Sequence, residues 1–124
     1  MSTRPSVMVV DDEEELAYLY RIYLERSGFN SVSFTDPLSA LENISQNHDK
    51  YSEVITDWQI PNLNGTQLAK RIRNFSTTVK ILLTTSFFTN KLIRKEAFQD
   101  VHISDVIEKP DLLNELKPRI EEVW

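Results

Sequence analysis

A single α/β domain built on a doubly wound parallel sheet, five strands alternating with five helices, is predicted by three observations. Short apolar runs recur along the chain, segments with helical spacing separate them, and the two kinds alternate. Strands joined through helices are expected to run parallel, with right-handed crossovers and helices on both faces of the sheet. A length of 124 residues suits one such domain with one core, and residues 4–124 are read as that domain.

The elements follow in order. Residues 6–10 (SVMVV) form a continuous apolar run, the pattern of a strand buried on both faces. A helix is expected over 13–27, with Leu16, Leu19, Tyr20, Tyr23 and Leu24 on one stripe and Gly28 as the residue that ends it. A second strand covers 31–34, after which Asp36 and Pro37 read as N-cap and first residue of a helix reaching about Asn47. Residues 53–56 make a third strand, and a loop containing Pro61 and Gly65 leads to a helix over 66–75. The most apolar strand is expected at 79–84, a short helix at 90–98, a fifth strand at 104–108 and a last helix at 112–123. Pro118 lies inside that last helix and should kink or interrupt it, because proline lacks the backbone donor and clashes with the preceding turn.

Composition narrows the function. The net charge of −5 argues against a nucleic-acid-binding surface, which draws its affinity from Lys and Arg. With no cysteine there is neither a disulfide framework nor a thiolate metal site. No apolar run approaches the ~18 residues that span a bilayer, and the first five residues lack the apolar core of a secretory signal; a cytoplasmic location is expected. The first strand–helix turn reads VDDE rather than a glycine-rich phosphate loop, so nucleotide binding is disfavoured. His48 and His102 are not spaced for zinc and are read as solvated or loop residues.

In an open parallel sheet all strands end on one edge, and ligands bind there. After the first strand come Asp11 and Asp12, with Glu13, Glu14 and Glu15 behind them; after the third comes Asp57; after the fourth, Thr84, Thr85 and Ser86; after the fifth, Lys109 and Pro110. Each piece alone has an ordinary explanation. Acids favour the first turn of a helix, where the macrodipole welcomes them, and Asp and Thr are common turn residues. The combination does not. Carboxylates converging from two strands repel, by about 4 kcal/mol for a pair ~4 Å apart at an effective dielectric of ~20. A divalent cation removes that cost, and Mg²⁺ takes one or two carboxylates while leaving positions for substrate oxygens. A lysine and a hydroxyl beside it suit a phosphate, so the set fits phosphoryl transfer to a carboxylate nucleophile.

These residues carry a family resemblance. The Asp11–Asp12 pair after a buried strand, the segment DWQIPNLNG at residues 57–65, the hydroxyl after the fourth strand and Lys109 followed by Pro110 resemble the receiver domain of two-component response regulators, over residues 6–123. The resemblance implies a flavodoxin-like strand order 2-1-3-4-5. It implies Asp57 as phosphoacceptor, with Asp11, Asp12, Asp57 and the main-chain carbonyl of Gln59 around Mg²⁺. Lys109 and a hydroxyl, assigned to Thr85 with Ser86 beside it, would contact the phosphoryl group, and Pro110 would follow a cis bond. The donor would be a histidine kinase or a phosphotransfer protein, and the domain would be a switch that assists its own phosphorylation and dephosphorylation rather than an enzyme with a separate substrate.

The chain departs from the family in places. The position three before Lys109, usually aromatic, is Val106, too small to swing a ring inward; Phe87 or Phe88 is the candidate substitute. The segment before the fifth strand, QDVHIS, lacks the usual Gly-Ala pair, and Asp111 stands where an apolar residue is usual. A binding module that keeps the fold without phosphate switching is the alternative these departures favour. A phosphatase would need an acid two residues beyond the nucleophile, where Gln59 stands.

Overall fold

The structure, a computed structural model, describes residues 6–85, 103 and 105–108. Along the chain lie β1 (Ser6–Val10), α1 (Glu14–Arg26), β2 (Asn30–Phe34), α2 (Pro37–Asn47), a single 3₁₀ turn (His48–Lys50), β3 (Tyr51–Asp57), α3 (Gly65–Ile72), β4 (Lys80–Thr85) and β5 (Asp105–Glu108). The strands form one sheet in the order β2-β1-β3-β4-β5, every pair parallel. The helices expected at 90–98 and 112–123, the latter with Pro118, lie outside the described residues.

Alternation along the strands divides the core in two. Met8, Val10, Val54, Ile81 and Leu83 face α2 and α3 and pack with Ala40, Ile44, Leu68, Ala69 and Ile72. Val7, Val9, Ile55 and Leu82 face α1 and pack with Tyr20, Leu24 and Phe29. The continuous apolar runs of β1 and β4 are thus explained by burial on both faces.

Helix ends follow local chemistry. Asp36 caps α2 by accepting from the Leu38 N–H at 3.1 Å, and Pro37 fills the first turn, where no donor is needed. Gly28 sits at φ 101, the left-handed conformation that lets the chain leave α1. Three expectations need correction. Leu19 is 51% exposed and does not belong to the buried stripe of α1, which is centred on Ala17, Tyr20 and Leu24. β3 begins at Tyr51 and includes Asp57, longer than the apolar centre suggested, because pairing with β1 and β4 carries polar residues into the ladder. α3 ends at Ile72 rather than 75: the Arg73 guanidinium turns back onto the Ser76 and Val79 carbonyls at 3.2 and 2.7 Å, fixing the turn into β4.

Candidate acidic site at the sheet edge

The residues after β1 are set by the sheet. The Asp11 N–H donates to the Phe34 carbonyl at 3.1 Å, prolonging the pairing with β2 by one residue. Its side chain is fully buried, and Oδ1 accepts from the Glu13 N–H at 2.9 Å, so Asp11 shapes the turn that starts α1. Glu13 occupies the N-cap position without a side-chain cap bond. Asp12, Glu13, Glu14 and Glu15 are all exposed, and Glu14 and Glu15 keep the ordinary role of first-turn acids near the positive end of the helix.

Asp57 closes β3 and is 4% exposed. The next peptide is held in place, since the Trp58 N–H donates to the Thr84 carbonyl at 2.9 Å. The Gln59 N–H donates to Asp57 Oδ1 at 3.2 Å, which keeps the Gln59 backbone against the site. The chain then returns through a tight loop. Asn62 takes a left-handed φ of 76, a conformation Asn tolerates better than most residues. Asn64 and Gln67 form a reciprocal capping box at 2.8 and 2.9 Å. The Gly65 N–H donates to the Trp58 carbonyl at 2.9 Å, closing the loop. Any side chain at Gly65 would collide with the phosphoacceptor candidate's own backbone: a Cβ would lie 2.7 Å from the Asp57 carbonyl oxygen and 2.9 Å from Leu83 Cδ2. Glycine is needed here for close approach, not for an unusual φ.

Together these contacts bring carboxylate oxygens of Asp11, Asp12 and Asp57 within 4.8 Å of one another. Asp11 and Asp57 are both buried, so their repulsion at that separation is on the order of 3–4 kcal/mol at an effective dielectric of ~20. On β4, Thr84 stands opposite Asp57 in register, and Thr85 opposite Glu108 of β5; both threonines are buried. Val106 pairs with Leu83 through its backbone. Lys109, Pro110, Ser86, Phe87 and Phe88 lie outside the described residues.

The profile of the response regulator receiver domain matches residues 7–121. The chain belongs to that family. Among curated relatives of this receiver domain, the response regulator ArlR of Staphylococcus saprophyticus is 31% identical over 114 residues, covering 92% of this chain and 50% of the relative. The alkaline phosphatase synthesis transcriptional regulatory protein PhoP of Bacillus subtilis is 26% identical over 117 residues, 94% of this chain and 47% of the relative. The chain therefore spans about half the length of these relatives. Among solved structures, chemotaxis protein CheY4 of Vibrio cholerae superposes with a TM-score of 0.87 at 20% identity, over 98% of this chain and 100% of that one. A CheY-like receiver domain from Methylobacillus flagellatus gives 0.84 at 25% identity, over 98% and 100%.

The acidic cluster of this receiver domain suits a hard divalent cation by its donor set. All three donors are carboxylate oxygens, the ligand type Mg²⁺ takes, and they already lie within 4.8 Å of one another. No helix among the described residues is long and apolar enough to cross a membrane.

One neighbour of the site escaped the sequence reading. Tyr20, taken there only as part of an apolar stripe, is 1% exposed, and its phenol is pushed above its ordinary range by burial first and then by Asp11, Asp57 and Glu13. The signal was a phenol at a fully buried position of the helix that begins directly after the acidic pair.

Proposed function

We propose that this receiver domain, residues 4–124, takes a phosphoryl group onto Asp57 from a histidine kinase or a phosphotransfer protein, and that the reaction depends on Mg²⁺. The observation that carries the reading is the gathering of Asp11, Asp12 and Asp57 within 4.8 Å, with the two buried members at the ends of adjacent strands. An Asp57 carboxylate oxygen attacks phosphorus, a new P–O bond forms, and the bond to the donor breaks, its electron pair leaving with the donor. Bound Mg²⁺ supplies charge neutralisation for the carboxylates and the transferred oxygens. Asp11, Asp12, Asp57 and the Gln59 carbonyl would hold it. The Gln59 N–H bond to Asp57 Oδ1 supports the backbone's part by keeping it against the carboxylate.

Thr85 and Lys109 are assigned to the phosphoryl oxygens. The protein's part is then positioning: Gly65 and the Trp58 N–H bond hold the Asp57 loop against β4, which fixes the backbone that carries the nucleophile. We read the domain as a cytoplasmic phosphoacceptor switch rather than an enzyme, its output carried by a protein partner rather than by direct contact with nucleic acid. The five-strand, five-helix architecture expected from the sequence is part of this reading. Val106, Phe87 and Phe88 remain the candidates for relaying the switch.

Acetyl phosphate with Mg²⁺ should add one phosphoryl group, detected by intact-protein mass spectrometry, and Asp57→Asn should abolish it. Labelling that persists in Asp57→Asn would remove Asp57 from this role.

A further inference from the structure

Under the acidic cluster lie two hydroxyls to which phosphoryl transfer assigns no part. The register across β1, β3 and β4 places Val9, Ile55 and Leu82 in one row on the face covered by α1, and Tyr20 belongs to the same buried cluster. One step further toward the ends of the strands, the same face carries Asp11, Asp57 and Thr84. α1 starts at that edge and runs away from it, and helical side chains lean toward their helix N-terminus, so the Tyr20 phenol leans toward the acidic row. The electrostatic influence of Asp11, Asp57 and Glu13 on Tyr20 agrees with that placement. Tyr20 and Thr84 are each 1% exposed, and among the described residues neither hydroxyl has a hydrogen-bond partner.

A buried hydroxyl without a partner carries a desolvation cost that Phe or Val of nearly the same shape would avoid. Packing therefore accounts for the ring of Tyr20 and the methyl of Thr84 but not for either oxygen. Asp57 pairs with Thr84 across the ladder and shares its face with Asp11; ionised carboxylates only accept, whereas a phenol and an aliphatic hydroxyl can donate.

We propose that the Tyr20 and Thr84 hydroxyls form a neutral floor that donates to the buried carboxylates of Asp11 and Asp57 when a divalent cation is bound, making Tyr20 and Thr84 positioning residues. The proposal rests on the reading that Asp11, Asp12 and Asp57 bind Mg²⁺. Each carboxylate already accepts a backbone N–H, from Glu13 to Asp11 and from Gln59 to Asp57, and charge-assisted hydrogen bonds from below would add a second restraint on which oxygen each presents upward.

The test is isothermal titration of Mg²⁺ alone into the wild-type chain, Tyr20→Phe, Thr84→Val and the double variant, with thermal melting of each in metal-free buffer. Tyr20→Phe and Thr84→Val should melt at or above the wild-type temperature without metal, because each loses a buried unpartnered hydroxyl. The Mg²⁺ Kd should weaken about tenfold in Tyr20→Phe, the scale of one hydrogen bond to a charged group, and by several-fold in Thr84→Val. A role in packing alone lowers the melting temperature and leaves the Kd untouched. A Kd within twofold of wild type in both variants would overturn the floor while leaving the metal site standing. Should Tyr20→Phe fail to fold, an unchanged Kd in Thr84→Val overturns it as well. No Mg²⁺ binding by the wild-type chain would overturn both the floor and the reading beneath it.

Discussion

The two ends of the sheet treat polar groups in opposite ways. At the N-terminal end, neutral groups satisfy one another: the Tyr51 hydroxyl donates to Asn43 Oδ1 at 2.6 Å, and Asn47 Nδ2 donates to the Asn43 carbonyl at 2.9 Å. At the C-terminal end, three carboxylates converge within 4.8 Å, two of them buried. Among the described residues the N-terminal end buries a single carboxylate, Glu53, whereas the C-terminal end holds like charges together at a cost in stability. A packed core gains nothing from that arrangement, whereas a site that takes up a cation does.

The contrast can be broken at several points. The largest effect should come from Gly65→Ala. The added Cβ meets the Asp57 carbonyl oxygen at 2.7 Å, a backbone atom that cannot swing aside. A loss of about 1–3 kcal/mol in urea unfolding is expected, together with weakened Mg²⁺ binding, because the Asp57 loop must move. Next, Asp57→Asn should stabilise the protein in metal-free buffer by about 1–2 kcal/mol, since it removes one of two buried like charges. Unchanged or lower stability would mean that the repulsion is already offset.

Tyr51→Phe at the other end should cost about 1 kcal/mol in the same unfolding experiment, the worth of one hydrogen bond. It should leave Mg²⁺ affinity alone, and an altered affinity would show that the two ends are not independent. Alkaline pH acts on both ends at once. Burial raises the pKa values of Tyr20 and Tyr51 above the ordinary tyrosine value of 10.0. Their contribution to stability is full below that value and is lost as pH climbs through the folded-state values, because the unfolded chain ionises first. The melting temperature should therefore fall above about pH 10, and less so in the Tyr20→Phe, Tyr51→Phe double variant. The smallest effect belongs to the exposed Arg21–Glu25 pair at 3.3 Å. Arg21→Gln should change stability by under about 0.5 kcal/mol.

Much of this contrast was legible in the residues themselves. β1 was bounded correctly because a fully apolar run ends abruptly at Asp11. α2 was bounded at both ends because Asp36 and Pro37 are strong start signals. The acidic residues could be named because topology forces strand ends onto one edge. Distances could not be read: whether Asp12 and Asp57 meet depends on the register between β1 and β3 and on the loop that Gly65 closes. Leu19 misled because helical spacing alone cannot tell a stripe's rim from its centre, and it lies half exposed at the rim. Tyr20 was missed as a polar residue because apolar periodicity counts its ring and ignores its oxygen. Strand register could not be read either: Thr84 pairs with Asp57 across the ladder, and Thr85 pairs with Glu108.

The central claim is that Asp11, Asp12 and Asp57 share one divalent ion. Calorimetric titration of Mg²⁺ into the wild-type chain, Asp12→Asn and Asp57→Asn tests it most directly. One ion per wild-type chain is expected, with loss of that binding in each variant. Stoichiometric binding that survives in both variants would contradict it.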